Sequence, residues 1–194
     1  LFLICYFIGS IPFGYVFYKV IKKDDIRNHG SGNIGATNVN RLIGKKFGFI
    51  TLFLDFLKTF CPCLIMHKYF GTEVGVVSGF LTILGHIYPI WLKFKGGKGV
   101  ASYMGFMLAT SWPLFIVLII TWLIIVRIFK YSAVAAIVSI LINLITFKII
   151  LFIQFNYNIL LWIKGDPIEF QFILFISIII LIKHYTNVIN ILKK

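Results

Sequence analysis

Residues 100–126 run for twenty-seven positions without one charged side chain. Crossing a bilayer takes roughly 20 apolar residues as a helix. A run this long fixes the solvent the chain is built for, because lipid leaves backbone groups only intrahelical partners. The rest of the chain agrees. Hydrophobic residues make up 60% of the 194, 21 of them Phe, and mean hydropathy is +0.97. A soluble domain of this size has no interior large enough for them. The expected class is all-α: a polytopic membrane protein of about seven transmembrane helices, some short, with polar glycine-rich loops.

The apolar segments fall at 1–20, 47–66, 74–92, 100–126, 131–155 and 170–183. The first lacks a basic leader and a small-residue cleavage site, so it reads as a retained span. Ser111-Trp112-Pro113 interrupts 100–126, and proline ends or kinks a helix at the residue before it. Read as two short helices, that segment brings the count to seven. It also places the polar stretches 21–46, 93–99 and 184–187 on one side. That side then holds 15 of the 19 Lys and Arg residues, from Lys19 through Lys193 and Lys194. The positive-inside rule puts it in the cytoplasm and the N-terminus outside. The net charge of +13 thus marks membrane orientation rather than nucleic-acid binding. No internal repeat or linker divides the chain, so residues 1–194 are expected to form one domain.

Against this background the polar stretch His29–Gly44, HGSGNIGATNVNRLIG, stands out. Gly30, Gly32 and Gly35 permit tight turns and close approach of backbone N–H groups to a ligand. From Ala36 the sequence reads as a short helix stopped by Gly44. A glycine turn feeding a helix start is suited to an anion. Thr37 and Arg41, four apart, share a face of that helix. A second basic loop, Lys95-Gly96-Gly97-Lys98-Gly99, repeats the combination of open backbone and lysine charge. The third segment is His184-Tyr185-Thr186-Asn187. Its His184 and Asn187, three apart, are expected on one face at the end of the last span.

The Gly30–Gly35 stretch fits G-x-G-x-x-G by letter but has no βαβ unit around it, and 95–99 lacks the spacing of a nucleotide P-loop. No serine sits in a G-x-S-x-G elbow. No histidine is followed five positions later by Asp. Asp55 and Lys58 lie three apart inside the second span and read as a structural pair. Cys5, Cys61 and Cys63 show no metal spacing and read as buried packing thiols.

Together these motifs identify a resemblance. GSIPFGY at 9–15, DIR at 25–27, SGNIGATNVNR at 31–41, GH at 85–86, FKGGKGVA at 94–101, YS at 131–132 and HYTN at 184–187 follow one pattern in order. The chain resembles the bacterial acyl-phosphate:glycerol-3-phosphate acyltransferase family of membrane enzymes over essentially its whole length. It departs from that family at Ala133, often a second Ser, and at Asn190, often an Arg. The resemblance implies acyl transfer from acyl phosphate to the sn-1 hydroxyl of glycerol-3-phosphate, in the bacterial cytoplasmic (inner) membrane, with the site facing the cytoplasm. Arg41, Lys98, His184 and Asn187 are the expected catalytic residues. Gly30, Ser31, Gly32, Asn33, Gly35, Thr37, Asn38, Gly96, Gly97, Gly99 and Ser132 are expected to bind substrate or phosphate. No metal, cofactor or nucleic acid is expected; the partners are the two substrates and the bilayer, and the chain is read as a monomer. The rival readings are a small transporter for anions or phosphate esters, which would favour repeat symmetry and midplane charges, and a non-catalytic lipid-binding scaffold.

Overall fold

The computed structural model describes residues 1–192, with side-chain surroundings through Ile189. Lys193 and Lys194, counted in the charge asymmetry, and the Asn190 side chain lie outside the described residues. Ten α-helices follow in order among the described residues: α1 (Phe2–Gly9), α2 (Phe13–Lys22), α3 (Ala36–Ile43), α4 (Lys45–Phe70), α5 (Thr72–Ile87), α6 (Val100–Thr110), α7 (Trp112–Phe129), α8 (Ser132–Tyr157), α9 (Pro167–Lys183) and α10 (Tyr185–Leu192). No strand occurs among the described residues.

Five segments are long and apolar enough to cross a membrane: Phe2–Lys22, Lys45–Phe70, Thr72–Leu92, Trp112–Phe129 and Ser132–Tyr157. The expected count of seven also needs α6 and α9, which have 11 and 17 residues. The first span is not the single helix expected over 1–20. Pro12 supplies no N–H and keeps Ile11 out of the helical region, so α1 and α2 meet at a break. The freed Ile11 carbonyl accepts instead from Lys58 Nζ of α4 (2.8 Å). The expected interruption at Ser111-Trp112-Pro113 does appear: α6 ends at Thr110, and Pro113 sits in the first turn of α7, where its missing N–H costs nothing. At the other end, α9 begins at Pro167 rather than 170. Asp166 caps it, accepting from the Glu169 N–H (2.8 Å), while Glu169 accepts from the Asp166 N–H.

α4 is central, packed on α3, α5 and α6, while α1 lies on α5 and α7 on α8. Gly105 lets α6 approach α4 until a Cβ there would strike the Phe56 carbonyl. The main apolar core joins α5 to α9 around Tyr103, Phe106, Leu114, Phe147 and Ile176. A smaller core of Tyr18, Ile26, Ile34, Val39 and Leu92 underlies the polar loops. It gives those loops a fixed base at the edge of the helical body. Cys5 and Cys63 are buried as expected, but Cys61 is exposed, because two residues before the buried Cys63 it falls on the opposite side of α4.

Candidate active site

The first loop is organised by one side chain. Asn38 is almost fully buried, 1% exposed. Its Nδ2 donates to the carbonyls of His29 (3.1 Å) and Asn33 (2.9 Å), and its Oδ1 accepts from the Ser31 N–H (3.0 Å) and from Arg41 Nη1 (3.4 Å). The amide therefore mimics a strand partner and draws the loop into a ring around itself. Gly44 ends α3 at φ +93°, where a Cβ would be strained. Upstream, Asp25 caps a 3-10 turn over Ile26–Asn28 and pairs with Arg27 (2.6 Å), which also reaches the Leu92 carbonyl (3.4 Å). The DIR motif thus braces the first loop against the second.

The second loop is held by the end of α5. The Gly97 N–H donates to the His86 carbonyl (3.0 Å) and the Gly96 N–H to the Ile87 carbonyl (3.1 Å). A Cβ on Gly97 would overlap the His86 ring, and one on Gly96 would overlap the His86 carbonyl and Pro89. Gly99, at φ +88°, then opens α6. The expectation that Gly32, Gly96 and Gly97 present N–H groups to phosphate is corrected here. Gly32 donates to the His29 carbonyl (3.0 Å), and all three N–H groups serve the loops themselves.

The third segment differs from its expected form. His184 closes α9, and Asn187 lies in the first turn of the separate α10, so the two do not share one helix. They still meet in one place. Asn187 Oδ1 accepts from Lys98 Nζ, and His184 Nδ1 donates to the Ile180 carbonyl (2.8 Å). With its proton on Nδ1, His184 turns the lone pair of Nε2 outward as an open acceptor.

These parts surround a cavity of about 320 Å³. Ser31, Asn33, Gly35, Thr37, Asn38 and Arg41 line it from the first loop and α3; Lys98 and Gly99 from the second loop; Ser132 from α8; His184 and Asn187 from the third segment. Gly30 lies in an adjoining, wider cleft that shares Ser31, Thr37, Arg41, Ser132 and Asn187 and adds Lys45 and Lys130. That cleft is the mouth. The structure also adds Asp55 and His86 to the polar lining, neither of them expected to touch the site. The GH pair at 85–86 was visible in sequence, but nothing local placed it beside a loop eleven residues away.

Three helix starts open on the cavity: α3 at Gly35 to Thr37, α6 at Gly99 to Ala101, and α8 at Ser132 and Ala133. First-turn N–H groups have no intrahelical partner, and the helix dipole makes each start partly positive. Arg41 and Lys98 add full charges. Among the described residues Asp55 is the one carboxylate in the lining, and Lys58 Nζ stands 2.7 Å from it, so it leaves those cations uncompensated. Burial pulls Lys98 down to about 8. Burial, and secondarily the charge of Lys98, lowers His184, against the raising effect of its bond to Ile180. An anion entering here would meet donors already aimed at it.

The remaining wall is apolar: Leu52, Met104, Ile119, Trp122, Leu123 and Ala136. Between α4 and α7 the mouth lies beside Phe49, Leu52, Trp122 and Val126, while further along the same seam Phe56 and Phe115 close at 6.2 Å between ring centroids. The site therefore joins a cationic cradle to an apolar slot.

Residues 1–194 match the family model described as "Glycerol-3-phosphate acyltransferase". A curated relative of that name from Bartonella henselae is 39% identical over 193 residues, covering 97% of this chain and 85% of the relative. One from Thermotoga petrophila is 48% identical over 139 residues, 71% of each. Two crystal structures of PlsY, an integral membrane glycerol 3-phosphate acyltransferase, superpose on the fold. Its glycerol 3-phosphate form gives a TM-score of 0.87 at 36% identity, and its lysophosphatidic acid form 0.82 at 35%. Each covers 99% of this chain and 90% of the other.

Proposed function

The chain belongs to the glycerol-3-phosphate acyltransferase family, and from that premise we propose that its cavity joins an acyl phosphate to glycerol-3-phosphate. The sn-1 hydroxyl oxygen attacks the acyl carbonyl carbon and forms the ester bond. The bond from that carbon to the phosphate oxygen breaks, and its electron pair leaves with inorganic phosphate. The hydroxyl proton passes to the departing phosphate. The product is 1-acyl-glycerol-3-phosphate, formed at the first step of phospholipid synthesis.

One observation carries this reading: two cations without a carboxylate partner among the described residues, Arg41 and Lys98, share a cavity with converging helix starts and an apolar wall. Two phosphate-bearing substrates ask for that much positive potential, and one fatty chain asks for the slot. An acyl phosphate is already activated, so positioning and charge stabilisation suffice without a covalent acyl-enzyme. In this reading Ser31, Asn33, Gly35, Thr37, Gly99 and Ser132 bind phosphate around Arg41 and Lys98. Asn38 shapes their loop, and Asn187 holds the Lys98 ammonium. His184 orients glycerol-3-phosphate rather than serving as the base. The chain acts as a monomer and a single domain, spans the bacterial inner membrane seven times, and opens its basic face to the cytoplasm.

Purified protein given palmitoyl phosphate should release phosphate only when glycerol-3-phosphate is added, in step with lysophosphatidic acid. Equal or faster turnover with an acyl-CoA would overturn the donor assignment.

A further inference from the structure

Asp55 and Lys58 of α4 form an ion pair inside the helical body, 2% and 5% exposed. Stability alone explains such a pair poorly, because well-packed apolar residues of similar volume often hold a fold as well or better. Charges within a membrane span are costly and tend to mark function. Lys58 does not line the cavity. Its ammonium is held from three sides: Nζ stands 2.7 Å from Asp55 Oδ1, donates to the Ile11 carbonyl at the break between α1 and α2 (2.8 Å), and lies 5.6 Å from the centre of the Phe13 ring. The same Asp55 oxygen faces His86 Nδ1 of α5 at 3.5 Å.

We propose that the Asp55–Lys58 pair is a positioning pair for Lys98, acting through the ring of His86. What Lys98 does for the reaction rests on the function proposed above. Where it sits does not. The ring edge at Nε2 lies so close to Gly97 that a Cβ there would overlap it, and Gly97 immediately precedes Lys98. The Gly97 N–H donates to the His86 carbonyl (3.0 Å) and tethers the loop to α5. The ring packed beside that tether stops the loop from swinging about it. Lys98 is thereby directed towards Asn187, whose Oδ1 accepts from its ammonium.

The pair is itself fastened to its surroundings. The Asp55 carbonyl accepts from Ser102 Oγ of α6 (3.1 Å), and α6 is the helix that the Lys98 loop leads into. Lys58 reaches back to the one carbonyl that Pro12 frees in the first span. Contacts therefore run from the α1–α2 break through α4 and α5 to Lys98. Losing the cation would leave the Asp55 carboxylate buried and unpaired, and losing both charges would leave His86 Nδ1 facing nothing polar. Either change frees the ring, and with it the loop.

The test reads Lys98 directly in the full chain in lipid nanodiscs, by acetic anhydride labelling across pH and mass spectrometry. The charged or titratable groups that share the cavity with Lys98 are Arg41 before the end of α3, Asp55 on α4, His86 on α5 and His184 after α9. The double variant Asp55→Leu, Lys58→Met removes one charge of each sign, so the net field at Lys98 changes little. It leaves no buried charge without a partner, so thermal unfolding should stay close to that of the wild type. Wild-type labelling should reach half its maximum at about 8, because burial lowers Lys98. In the double variant the lysine leaves its seat, and the midpoint should move towards the ordinary 10.5. There kcat/KM should fall roughly 10- to 100-fold, the scale of a misplaced group. His86→Ala, with the pair intact, should give the same shift, and adding it to the double variant should give no more. Asn143→Leu is the control: it breaks the bond to the Leu114 carbonyl between α8 and α7 (2.7 Å), and should lower Tm and leave the Lys98 midpoint in place. A wild-type midpoint in the folded double variant, a shift that His86→Ala fails to reproduce, or an equal shift in Asn143→Leu would each overturn the positioning role. Labelling needs no turnover. Wild-type protein inactive with palmitoyl phosphate and glycerol-3-phosphate would sink the proposed function, and the midpoints would still decide the placement of Lys98.

Discussion

The two glycine-rich loops look alike in sequence and are built in opposite ways. In the first, a buried side chain, Asn38, gathers backbone groups of the same loop around itself. In the second, the backbone of Gly96 and Gly97 docks onto the end of α5 and against His86. One loop is stapled from within and the other is pressed against a neighbour. Neither uses most of its glycines as a cradle. The glycines bring the chain close, and the free N–H groups come from the helices that start just after, α3 and α6. A glycine-rich signature near a proposed phosphate site thus marks how the loop packs. The donors lie one step downstream.

The comparison is tested first through the charge each loop delivers. Lys98→Ala and Arg41→Ala should each lower kcat/KM by roughly 30-fold to several thousand-fold, since about 2–5 kcal/mol is lost when a desolvated charge loses its partner. Lys98 should sit at the upper end, because it is half-buried while Arg41 stands exposed at the mouth. Wild-type kcat/KM in the folded double variant would remove both loops from the site.

The supports come next. Gly97→Ala forces a methyl group into the His86 ring and should cost about 1–3 kcal/mol of stability, with activity falling as Lys98 shifts. Asn38→Ala should cost a similar ~1–3 kcal/mol by stranding the Ser31 N–H and two carbonyls. Thermal unfolding and KM for each substrate read both variants. Equal tolerance of the two would erase the distinction between an internal staple and an external one.

The smallest effect is that of pH. Lys98 is lowered to about 8 in the folded protein, while an unfolded lysine stays near its ordinary 10.5. Its charged form is the one proposed to bind phosphate, so kcat/KM should decline as pH rises through about 8. Stability should move the other way. Between the folded and unfolded values the unfolded chain binds more protons, so raising the pH there favours the folded state. Parallel curves for activity and stability would remove Lys98 as their common origin.

Much of the architecture was legible in the apolar runs. The break before Pro113 and the short helix from Ala36 to Gly44 follow from single residues whose backbone preferences are strong. The break at Pro12 was equally local but hidden by the apolar residues on both sides. His184 and Asn187 were legible as a pair, though not as residues of two helices, since helix spacing alone does not reveal a stop at His184. Asp55 and His86 were not legible as lining. Their side chains meet only because α4 and α5 pack side by side, and no local pattern carries that.

The converging starts of α3, α6 and α8 have a consequence for genetics. The partial charge they supply belongs to the peptide chain, so no side-chain deletion removes it and no ordinary pH titrates it. Scanning mutagenesis of this cavity will therefore end on a plateau. Below Arg41, Lys98 and His184 there remains a layer of attraction for an anion that is written in the fold and has no letter of its own.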